Sequence, residues 1–457
     1  MTSGNDKGAP RGEARPSRAA GLQIKAVRGT RDLLPDQTPL WNRVEATARA
    51  VFARYGFGEI RTPVFETTDL FARGVGEETD IVSKEMFTWE DRARAASEKA
   101  QSLTLRPEST AGVVRAYIEH KMGETGALQK LYYIGPQFRR ERPQRGRYRQ
   151  FWQIGAEVIG PPSSGSESPL RDAEVLEMLA SLLDELGVRD WRLELNSVGN
   201  AEDRARYNTA LREALAPVKD RLCPDNQRRA ETNPLRVLDS KDEQDQEIIN
   251  GLPKIADYLG DASREHFAQV RAALDACGVP YHVNPRLVRG LDYYTRTTFE
   301  FTVQTGLGTQ NALLGGGRYD GLSEMLGGPK APGIGFAIGE DRLILVLQEQ
   351  AKQDAEAAGS APAEEKLDAY IAPLGIERNA AALAVARDLR RAGLSVEVGD
   401  GTFKLRKSFE VADRMARAIV LLGEDELAAN EATVKTFATG EQRKVRRAEL
   451  ADALRQR

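Results

Sequence analysis

Residues 132–160 read YYIGPQFRRERPQRGRYRQFWQIGAEVIG, and this stretch decides the fold of the chain around it. Its two ends alternate in polarity and are rich in aromatic side chains, as β-strands are. Between them, residues 139–149 hold six arginines and one glutamate, with a proline and a glycine that disfavour a helix. The pattern predicts a long antiparallel hairpin whose tip carries the arginines.

The arginine-rich tip has two interpretations. It is either a solvated, charge-rich loop or a phosphate-binding element, because a guanidinium donates two hydrogen bonds at once and stays protonated. In the second case a nucleotide would lie over the sheet near Arg139, and a nucleic-acid backbone would meet the tip. The Walker and Rossmann glycine patterns are absent from the sequence, so nucleotide binding would rest on arginines.

Composition narrows the class of protein. The chain has 457 residues, a formal charge of −3 and no apolar run near 18 residues, so we expect a soluble protein of two or three domains without a membrane span. The two cysteines, Cys223 and Cys277, lie far apart, which disfavours a disulfide framework and a zinc site and fits a reducing cytosol. Only three histidines occur, and they are scattered, so neither a metal site nor a histidine-activated nucleophile is indicated.

The order of predicted elements indicates an α+β core with an antiparallel sheet. A helix is predicted within residues 35–57, with Thr38 as N-cap and Gly56 as its end, and Pro63 interrupts the strand that follows. The predicted division is a disordered tail (1–20), the first part of the core (21–196), a helical insertion (197–283), the second part of the core (284–349), a linker (350–365) and a C-terminal α/β domain (366–457).

Polar residues on and beside the hairpin are candidates for a binding site. Gln153 and Glu157 are four residues apart on one strand and therefore share a face. A buried carboxylate needs a partner, which is either an arginine or the ammonium or imidazole of a ligand. In TLRPESTAG, residues 104–112, Glu108, Ser109 and Thr110 precede a predicted helix, so they are either an ordinary cap or a site where Glu108 faces a ligand amine.

A second cluster lies in the strand-rich region after the insertion. RGLDYYTRTTFEF, residues 289–301, contains Arg289, Tyr293 and Tyr294, which are either core residues or the lining of a polar aromatic pocket. The glycines of LGGGRYDGL (314–322) and GIGFAIGEDRL (333–343) would bring the backbone close to a ligand or let a flat ring lie against the sheet. Arg342, at the end of the second stretch, would reach a phosphate or stack on a base.

Together these segments resemble the class II aminoacyl-tRNA synthetases, and specifically the histidyl-tRNA synthetases of bacterial type. The helix and strand ending at Pro63 resemble motif 1, the arginine-tipped hairpin resembles motif 2, and GIGFAIGEDRL resembles motif 3. RGLDYY and LGGGRYDGL resemble two peptides peculiar to the histidyl enzymes, and NPLRVLDSK (233–241) resembles their helical insert. The resemblance covers the chain from about residue 24, apart from the linker.

The resemblance implies a role for each matching residue. The implied roles are catalysis by Arg139 and Arg289, ATP binding by Arg139, Glu141 and Arg342, histidine binding by Glu108, Ser109, Thr110, Gln153, Glu157, Arg289, Tyr293 and Tyr294, and contact with the tRNA acceptor end by Arg142 and Gln144. It further implies ATP as a substrate with Mg²⁺, tRNA(His) as a partner, an anticodon-binding C-terminal domain, a homodimer and a cytoplasmic location.

Two positions depart from the usual pattern of that family. PEST, with Ser109, stands where PEGT is usual, and GEDR places an aspartate before Arg342. The main alternative is the histidyl-synthetase-like regulatory subunit of ATP phosphoribosyltransferase, which senses histidine without aminoacylation. That paralogue typically lacks the C-terminal domain and the full set of Arg139, Arg289 and Arg342. A synthetase for proline, threonine or glycine is a more distant alternative, which RGLDYY and GGGRYDGL oppose.

Overall fold

A computed structural model describes residues 24–76, 79, 81–91, 100–142, 144–240, 242–291, 293–307, 311–358 and 366–455. The tail predicted for residues 1–20 lies outside these residues. The chain divides into two compact units, which meet in sequence at residues 354 and 355, and each is described by itself.

The described residues contain both α-helices and β-strands. The α-helices are Thr38–Arg54 (α1), Thr68–Val75 (α2), Thr110–Glu119 (α3), Pro169–Leu186 (α4), Ala201–Leu215 (α5), Pro224–Thr232 (α6), Glu243–Gly251 (α7), Asp261–Cys277 (α8), Leu322–Met325 (α9), Glu340–Ala358 (α10), Asn379–Arg391 (α11), Leu405–Met415 (α12), Glu424–Ala428 (α13) and Leu450–Arg455 (α14). The strands are Gly58–Glu59 (β1), Phe65–Thr67 (β2), Phe87–Asp91 (β3), Gln101–Leu105 (β4), Gln129–Phe138 (β5), Gln150–Ile159 (β6), Arg192–Ser197 (β7), Tyr281–Val283 (β8), Thr295–Thr302 (β9), Ala312–Arg318 (β10), Gly333–Gly339 (β11), Leu367–Pro373 (β12), Val396–Val398 (β13), Ala416–Leu422 (β14), Glu431–Thr436 (β15) and Gln442–Arg446 (β16).

An eight-stranded sheet organises the first unit, in the order β1-β5-β6-β11-β10-β9-β7-β8. The pairs from β5 to β7 are antiparallel, whereas β1 and β8 join the two edges in parallel. The predicted hairpin is confirmed, because β5 and β6 pair over their full length from Gln129↔Ile159 to Phe138↔Gln150. The antiparallel α+β class that the sequence predicts is therefore the observed one.

One face of this sheet is the hydrophobic core. Alternate residues such as Tyr132, Ile154, Phe336 and Phe299 point to that face and are buried beneath helices α1, α4 and α8. The helices contribute leucines, valines and aromatic residues at helical spacing, so their apolar stripes cover the sheet. The opposite face carries the intervening residues, and it holds the site described below.

The motif 1 region differs in detail from its prediction. Thr38 is the first residue of α1 and not its N-cap; Gln37 takes that position without a side-chain cap bond. The threonine hydroxyl instead donates to the carbonyl of Pro35 at 3.4 Å. Gly56, with φ of 78°, follows the helix as predicted, and the strand is interrupted around Pro63 between β1 and β2.

The helical insertion is shorter than the 197–283 predicted from composition. Residues of α5, α6, α7 and the turns between them form their own apolar core, from Tyr207 to Leu259. Helix α8 instead contributes Val270 and Leu274 to the main core, and β8 pairs in parallel with β7. Only a narrow apolar stripe of α8 faces the sheet, and the rest of its surface is charged. The sequence pattern therefore did not show that α8 belongs to the main core.

The predicted linker over 350–365 also differs, because α10 continues to Ala358. Its last residues, AKQDAEAA, are good helix formers, which outweighs their linker-like composition. Residues 359–365 lie outside the described part.

The second unit is the α/β domain that the alternation predicted. Its five-stranded sheet has the order β13-β12-β14-β15-β16, parallel in its first three strands and antiparallel in the rest. Helix α11 packs on one face with Val385 and Leu389, and the other face packs against α12 through Ala412. Within the described residues of both units, no α-helix is long and apolar enough to cross a membrane.

Glu340, the first residue of α10, is fully buried, and neither of its carboxylate oxygens has a hydrogen-bond partner among the described residues. Burial, followed by the negative charges of Glu45 and Asp341, raises the pKa of Glu340 to about 9. The folded protein therefore holds this carboxyl group protonated, whereas the unfolded chain ionises it near pH 4.5. Between these two values the folded state loses up to about 1.4 kcal/mol per pH unit as pH rises.

We expect Glu340→Gln to remove this decrease in the stability of the folded state with rising pH. The free energy of unfolding should fall less steeply with pH in the variant, with a difference on the order of 3 kcal/mol accumulated between pH 5 and pH 8. Urea unfolding followed by tryptophan fluorescence measures it, because all four tryptophans lie in the first unit, at positions 41, 89, 152 and 191. Glu202→Gln, an exposed change in the same unit, is the control. Parallel pH profiles for Glu340→Gln and the wild type would contradict the expectation.

Candidate active site

The candidate site lies on the face of the eight-stranded sheet opposite the core. Directly paired residues of antiparallel strands share a face, so the register fixes its members. They are Tyr133, Gly135 and Gln137 of β5, Phe151, Gln153, Gly155 and Glu157 of β6, Gly335, Ala337 and Gly339 of β11, Gly315 and Gly317 of β10, and Thr298 and Glu300 of β9. The expectation that Gln153 and Glu157 share a face is correct, and that face is the polar one.

Glu157 is the centre of a buried hydrogen-bond network. Its Oε1 accepts from the Thr110 hydroxyl at 2.7 Å and from the Tyr133 hydroxyl at 3.4 Å, and its Oε2 accepts from the Tyr319 hydroxyl at 2.7 Å. The side chain is completely buried, and burial raises the pKa of Glu157 to about 8 although these hydroxyl groups oppose the shift. Among the described residues no arginine forms an ion pair with Glu157. The structural alternative, in which an arginine neutralises this carboxyl group, is therefore not observed.

The turn before α3 brings a second carboxyl group close to the first. Glu108 accepts hydrogen bonds from the backbone N–H of Thr110 at 2.8 Å and of Ala111 at 3.0 Å, so it does cap the helix. It is also buried, and burial raises the pKa of its carboxyl group. The hydroxyl of Ser109 accepts from Gln137 Nε2 at 2.7 Å, which ties the turn to strand β5.

An open cavity of about 650 Å³ occupies the middle of this face. Its wall includes all three predicted ATP-binding residues, Arg139, Glu141 and Arg342. Two of the predicted histidine-binding residues, Gln153 and Arg289, also lie on it. Residues that the sequence did not single out complete it, among them Arg147, Tyr148, Phe151, Arg286 and Glu300.

The arginines of the cavity are held in place by oxygen acceptors and one ring. Arg139 donates through Nε to the carbonyl of Pro107 at 2.9 Å, and its guanidinium lies 5.2 Å from the Phe151 ring centre. Arg342 donates through Nε to the carbonyl of Ala312 at 2.9 Å, and burial lowers its pKa from an ordinary value that is far above neutrality. The terminal nitrogens of such anchored guanidinium groups are suited to bind phosphate oxygens.

Two carboxylates in the wall balance the arginines. Glu300 forms an ion pair with Arg289, and Glu141 forms one with Arg147 at 3.1 Å. The Oε1 atom of Gln153 is buried without a hydrogen-bond partner among the described residues, although the side chain borders the cavity. A buried acceptor without a donor is unfavourable, so a ligand that supplies a donor would be stabilised there.

Tyr293 and Tyr294 lie beside the Glu157 network. Their ring centres are 4.8 Å apart, and the Tyr293 ring meets Tyr319 edge to face at 5.9 Å. Both tyrosines are buried in a small aromatic core, as the first interpretation predicts. That core adjoins the polar face, so the rings also lie next to the candidate site.

The glycines of this face lie directly against other side chains of the site. A Cβ at position 335 would overlap the carboxylate of Glu157, and one at 315 would overlap the guanidinium of Arg289. At position 317 a Cβ would meet the Tyr294 ring at 2.8 Å. These glycines therefore make room for neighbouring side chains of the protein. Gly315 and Gly339 also lie on the cavity wall, where a close approach of the backbone to a ligand stays a prediction.

Arg142 and Gln144 lie apart from the cavity, exposed at the tip of the hairpin. The tip closes through reciprocal backbone bonds between Gln144 and Arg147, at 3.2 and 2.9 Å. The predicted site residues thus form two groups, one around the cavity and the Glu157 network and one at the tip.

Sequence reasoning missed several members of the site. Tyr133 and Gln137 alternate with core residues along β5, and Glu300 alternates with Phe299 and Phe301 along β9, so period-two spacing would have placed them on the polar face. Tyr319 follows the glycines of LGGGRYDGL, but no local pattern shows that it reaches Glu157.

The described part of the chain contains one group of three potential metal ligands that lie close together. Its members are Cys223, Asp242 and Asp245, and their ligand atoms lie within 4.8 Å of one another. Asp245 already accepts from the Cys223 backbone N–H at 2.9 Å and from the Ser240 hydroxyl at 3.2 Å. These bonds hold the turns of the insertion together, so the cluster has a structural explanation.

Both units of the chain match known protein families. Residues 29–343 match the family model described as histidyl-tRNA synthetase, and residues 368–457 match the model described as anticodon binding domain. The chain is 70% identical to the histidine--tRNA ligase of Koribacter versatilis over 434 residues, covering 94% of this chain and 96% of that protein. It is 53% identical to the histidine--tRNA ligase of Solibacter usitatus over 433 residues, covering 94% and 99%. The apo histidyl-tRNA synthetase of S. aureus superimposes with a TM-score of 0.75 at 37% identity, covering 95% of this chain and all of that one.

Proposed function

Since the chain belongs to the histidyl-tRNA synthetase family, we propose how its own residues divide the work of that family's reaction. The reaction is the ATP-dependent attachment of histidine to tRNA(His) through a histidyl-adenylate. The observation that supports the residue assignment is the shared cavity, because Arg139, Arg289 and Arg342 line it together with Gln153.

The imidazole of histidine would be recognised at the buried end of the polar face. Glu157 supplies a carboxyl group whose pKa of about 8 lets it exchange a proton with an imidazole near neutral pH. Tyr294 would make the second polar contact, with Tyr293 packed against it. An aliphatic side chain would leave the buried Glu157 without its ligand partner, which gives discrimination by hydrogen bonding.

The α-amino and carboxylate groups of histidine would point toward the cavity. Glu108, Thr110 and the free Oε1 of Gln153 are the acceptors available for an ammonium group. Ser109 would contribute through its bond to Gln137, since its hydroxyl is already engaged there. Arg289 would bind the carboxylate and the neighbouring α-phosphate, where negative charge increases during the reaction.

ATP would occupy the cavity as its Mg²⁺ complex. Arg139 would bind the α-phosphate, Arg342 the γ-phosphate, and Glu141 the adenine region. Mg²⁺ prefers oxygen ligands and usually binds through substrate phosphates with one or two carboxylates, a type of ligand that Glu300 would offer on the wall. The bound ion would neutralise the phosphates and help to orient them.

Activation then needs positioning and charge but no protein nucleophile. An oxygen of the histidine carboxylate attacks the α-phosphorus in line, the bond to the β-phosphate oxygen breaks, and pyrophosphate leaves. The terminal ribose hydroxyl of the tRNA next attacks the acyl carbon, its proton is released, and AMP leaves. Arg139 and Arg289 stabilise the charge on the α-phosphate in both steps.

The tRNA would meet two separate regions of the chain. Arg142 and Gln144 are exposed at the hairpin tip, where they would contact the acceptor end, including the extra 5′ guanosine. The second unit would bind the anticodon, in keeping with the family model that it matches. Phosphate contacts by arginine position the nucleic acid, and contacts to bases specify it.

A homodimer in the cytoplasm completes the proposal. Val64, Phe65 and Trp89 are exposed apolar side chains close to the motif 1 segment, and the Phe65 and Trp89 rings lie 6.1 Å apart. Exposed apolar patches of this kind mark interaction surfaces. Light scattering over a range of protein concentrations tests the dimer, and Phe65→Lys should weaken it.

The experiment that tests the residue-level proposal is pyrophosphate exchange into ATP with each of the twenty amino acids and no tRNA. We expect exchange with histidine alone, followed by charging of tRNA(His) when the tRNA is added. Measurable histidine binding without exchange would instead favour the histidine-sensing regulatory subunit. The chain's match to the anticodon-binding model and the three arginines on the cavity wall weigh against that alternative.

A further inference from the structure

A buried side-chain bridge joins the turn before α3 to the end of strand β5. Gln137 Nε2 donates to Ser109 Oγ at 2.7 Å, and the two residues are only 0% and 1% exposed. Neither residue borders the cavity directly.

The bridge lies between the two halves of the proposed site. The turn carries Glu108 and Thr110, which belong to the histidine half, and the strand end carries Arg139, which belongs to the ATP half. Three further bonds connect the same segments. The Phe138 N–H donates to the carbonyl of Arg106, Arg106 Nε donates to the carbonyl of Pro136, and Arg139 Nε donates to the carbonyl of Pro107, each at 2.9 Å. The Gln137–Ser109 bond is the one made wholly by side chains.

The position of Gln137 in the sheet is unusual for a core residue. It points to the polar face, directly opposite Phe151, whose ring lies under the Arg139 guanidinium. Its Oε1 is buried without a hydrogen-bond partner among the described residues. An amide in a purely structural position normally satisfies both ends, because an unmade buried hydrogen bond costs about 1–3 kcal/mol.

We propose that Gln137 is a positioning residue for amino-acid activation, and that Ser109 is its partner. Through their hydrogen bond, the turn that carries Glu108 and Thr110 is held in register with the strand end that carries Arg139. The histidine carboxylate and the α-phosphate of ATP are thereby aligned for in-line attack. This inference rests on the proposed division of the site into a histidine half and an ATP half.

Loss of the bridge should impair alignment more than binding. We expect Ser109→Ala and Gln137→Leu each to lower the kcat of histidine-dependent pyrophosphate exchange by about tenfold, because small misplacements of reacting groups are costly. The Kd of histidine alone, measured by calorimetry, should stay within about twofold, because Glu108, Thr110 and Gln153, the acceptors proposed to contact its ammonium group directly, remain. The double variant should lose no more kcat than either single variant, as two ends of one bond require.

Ser166→Ala is the matched control. Ser166 is also 1% exposed and donates a hydrogen bond to a carbonyl, that of Gly160 at 2.8 Å, but it lies away from the cavity wall. It should lower thermal stability without changing kcat. If Ser109→Ala and Gln137→Leu behave like this control, or if their effects on kcat multiply in the double variant, the positioning role is wrong. Absence of histidine-dependent exchange in the wild type would instead refute the site assignment, which keeps the two failures distinct.

Discussion

Replacing Arg289 by glutamine should lower the rate of histidine-dependent pyrophosphate exchange by about 10³-fold. Arg289 lies on the cavity wall, where its ion pair with Glu300 holds it, and we have proposed that it lies between the histidine and ATP halves of the site. Removing a single donor aimed at developing negative charge lowers kcat by about 10²–10³-fold, and arginines in phosphoryl transfer contribute as much or more. Exchange assays at saturating histidine and ATP measure the effect on kcat.

The variant also leaves Glu300 without its partner, and this second effect has its own control. Glu300→Gln removes the carboxylate alone, and the double variant Arg289→Gln with Glu300→Gln removes both. We expect the double variant to remain as inactive as Arg289→Gln, because the missing cation limits the rate. Recovery of activity in the double variant would show that the orphaned carboxylate was responsible. Arg192→Gln, an exposed change on strand β7 of the same sheet, should leave exchange unchanged.

Replacing Glu157 by glutamine should lower kcat/KM for histidine by about 100-fold. The carboxyl group is the centre of the buried network formed with Thr110, Tyr133 and Tyr319, and hydrogen bonds to charged groups contribute about 1.5–3 kcal/mol. The amide keeps the size of the side chain but cannot take up the charge of a histidine imidazolium. Exchange kinetics with varied histidine measure the loss, while the KM for ATP should change little.

The same variant should change the pH dependence of histidine binding. Between about pH 6.5, where free imidazole titrates, and pH 8, where Glu157 titrates in the empty pocket, the complex forms with no net proton exchange. Below this range binding must release a proton, and above it binding must take one up, so affinity falls on both sides. In Glu157→Gln, the decrease in histidine affinity that this carboxyl group causes above pH 8 should disappear.

Calorimetric Kd values from pH 6 to pH 9.5 test this expectation. The ratio between variant and wild type cancels the ionisation of the ligand's own amino group, which affects both proteins equally. A constant ratio across the range would mean that Glu157 does not titrate on histidine binding.

Local patterns in the sequence were sufficient to predict the strands that carry the site. Period-two alternation around the arginines predicted the β5–β6 hairpin and put Gln153 and Glu157 on one face. The change to a βαβ-like alternation after residue 366 predicted the C-terminal domain. These inferences succeed because a side chain's face within a strand depends only on neighbours in the chain.

The tertiary structure decided which distant residues meet on that face. Glu157 lies against Gly335 and under Tyr319, and Arg289 lies against Gly315, through pairings of strands far apart in sequence. It also decided that α8 and β8 belong to the main core and that Gln137 bridges to Ser109. The sequence by itself thus determined the elements and the chemical character of each face. Register and long-range packing determined the contacts, because they depend on how separate elements fit together and leave no periodic trace within any one of them.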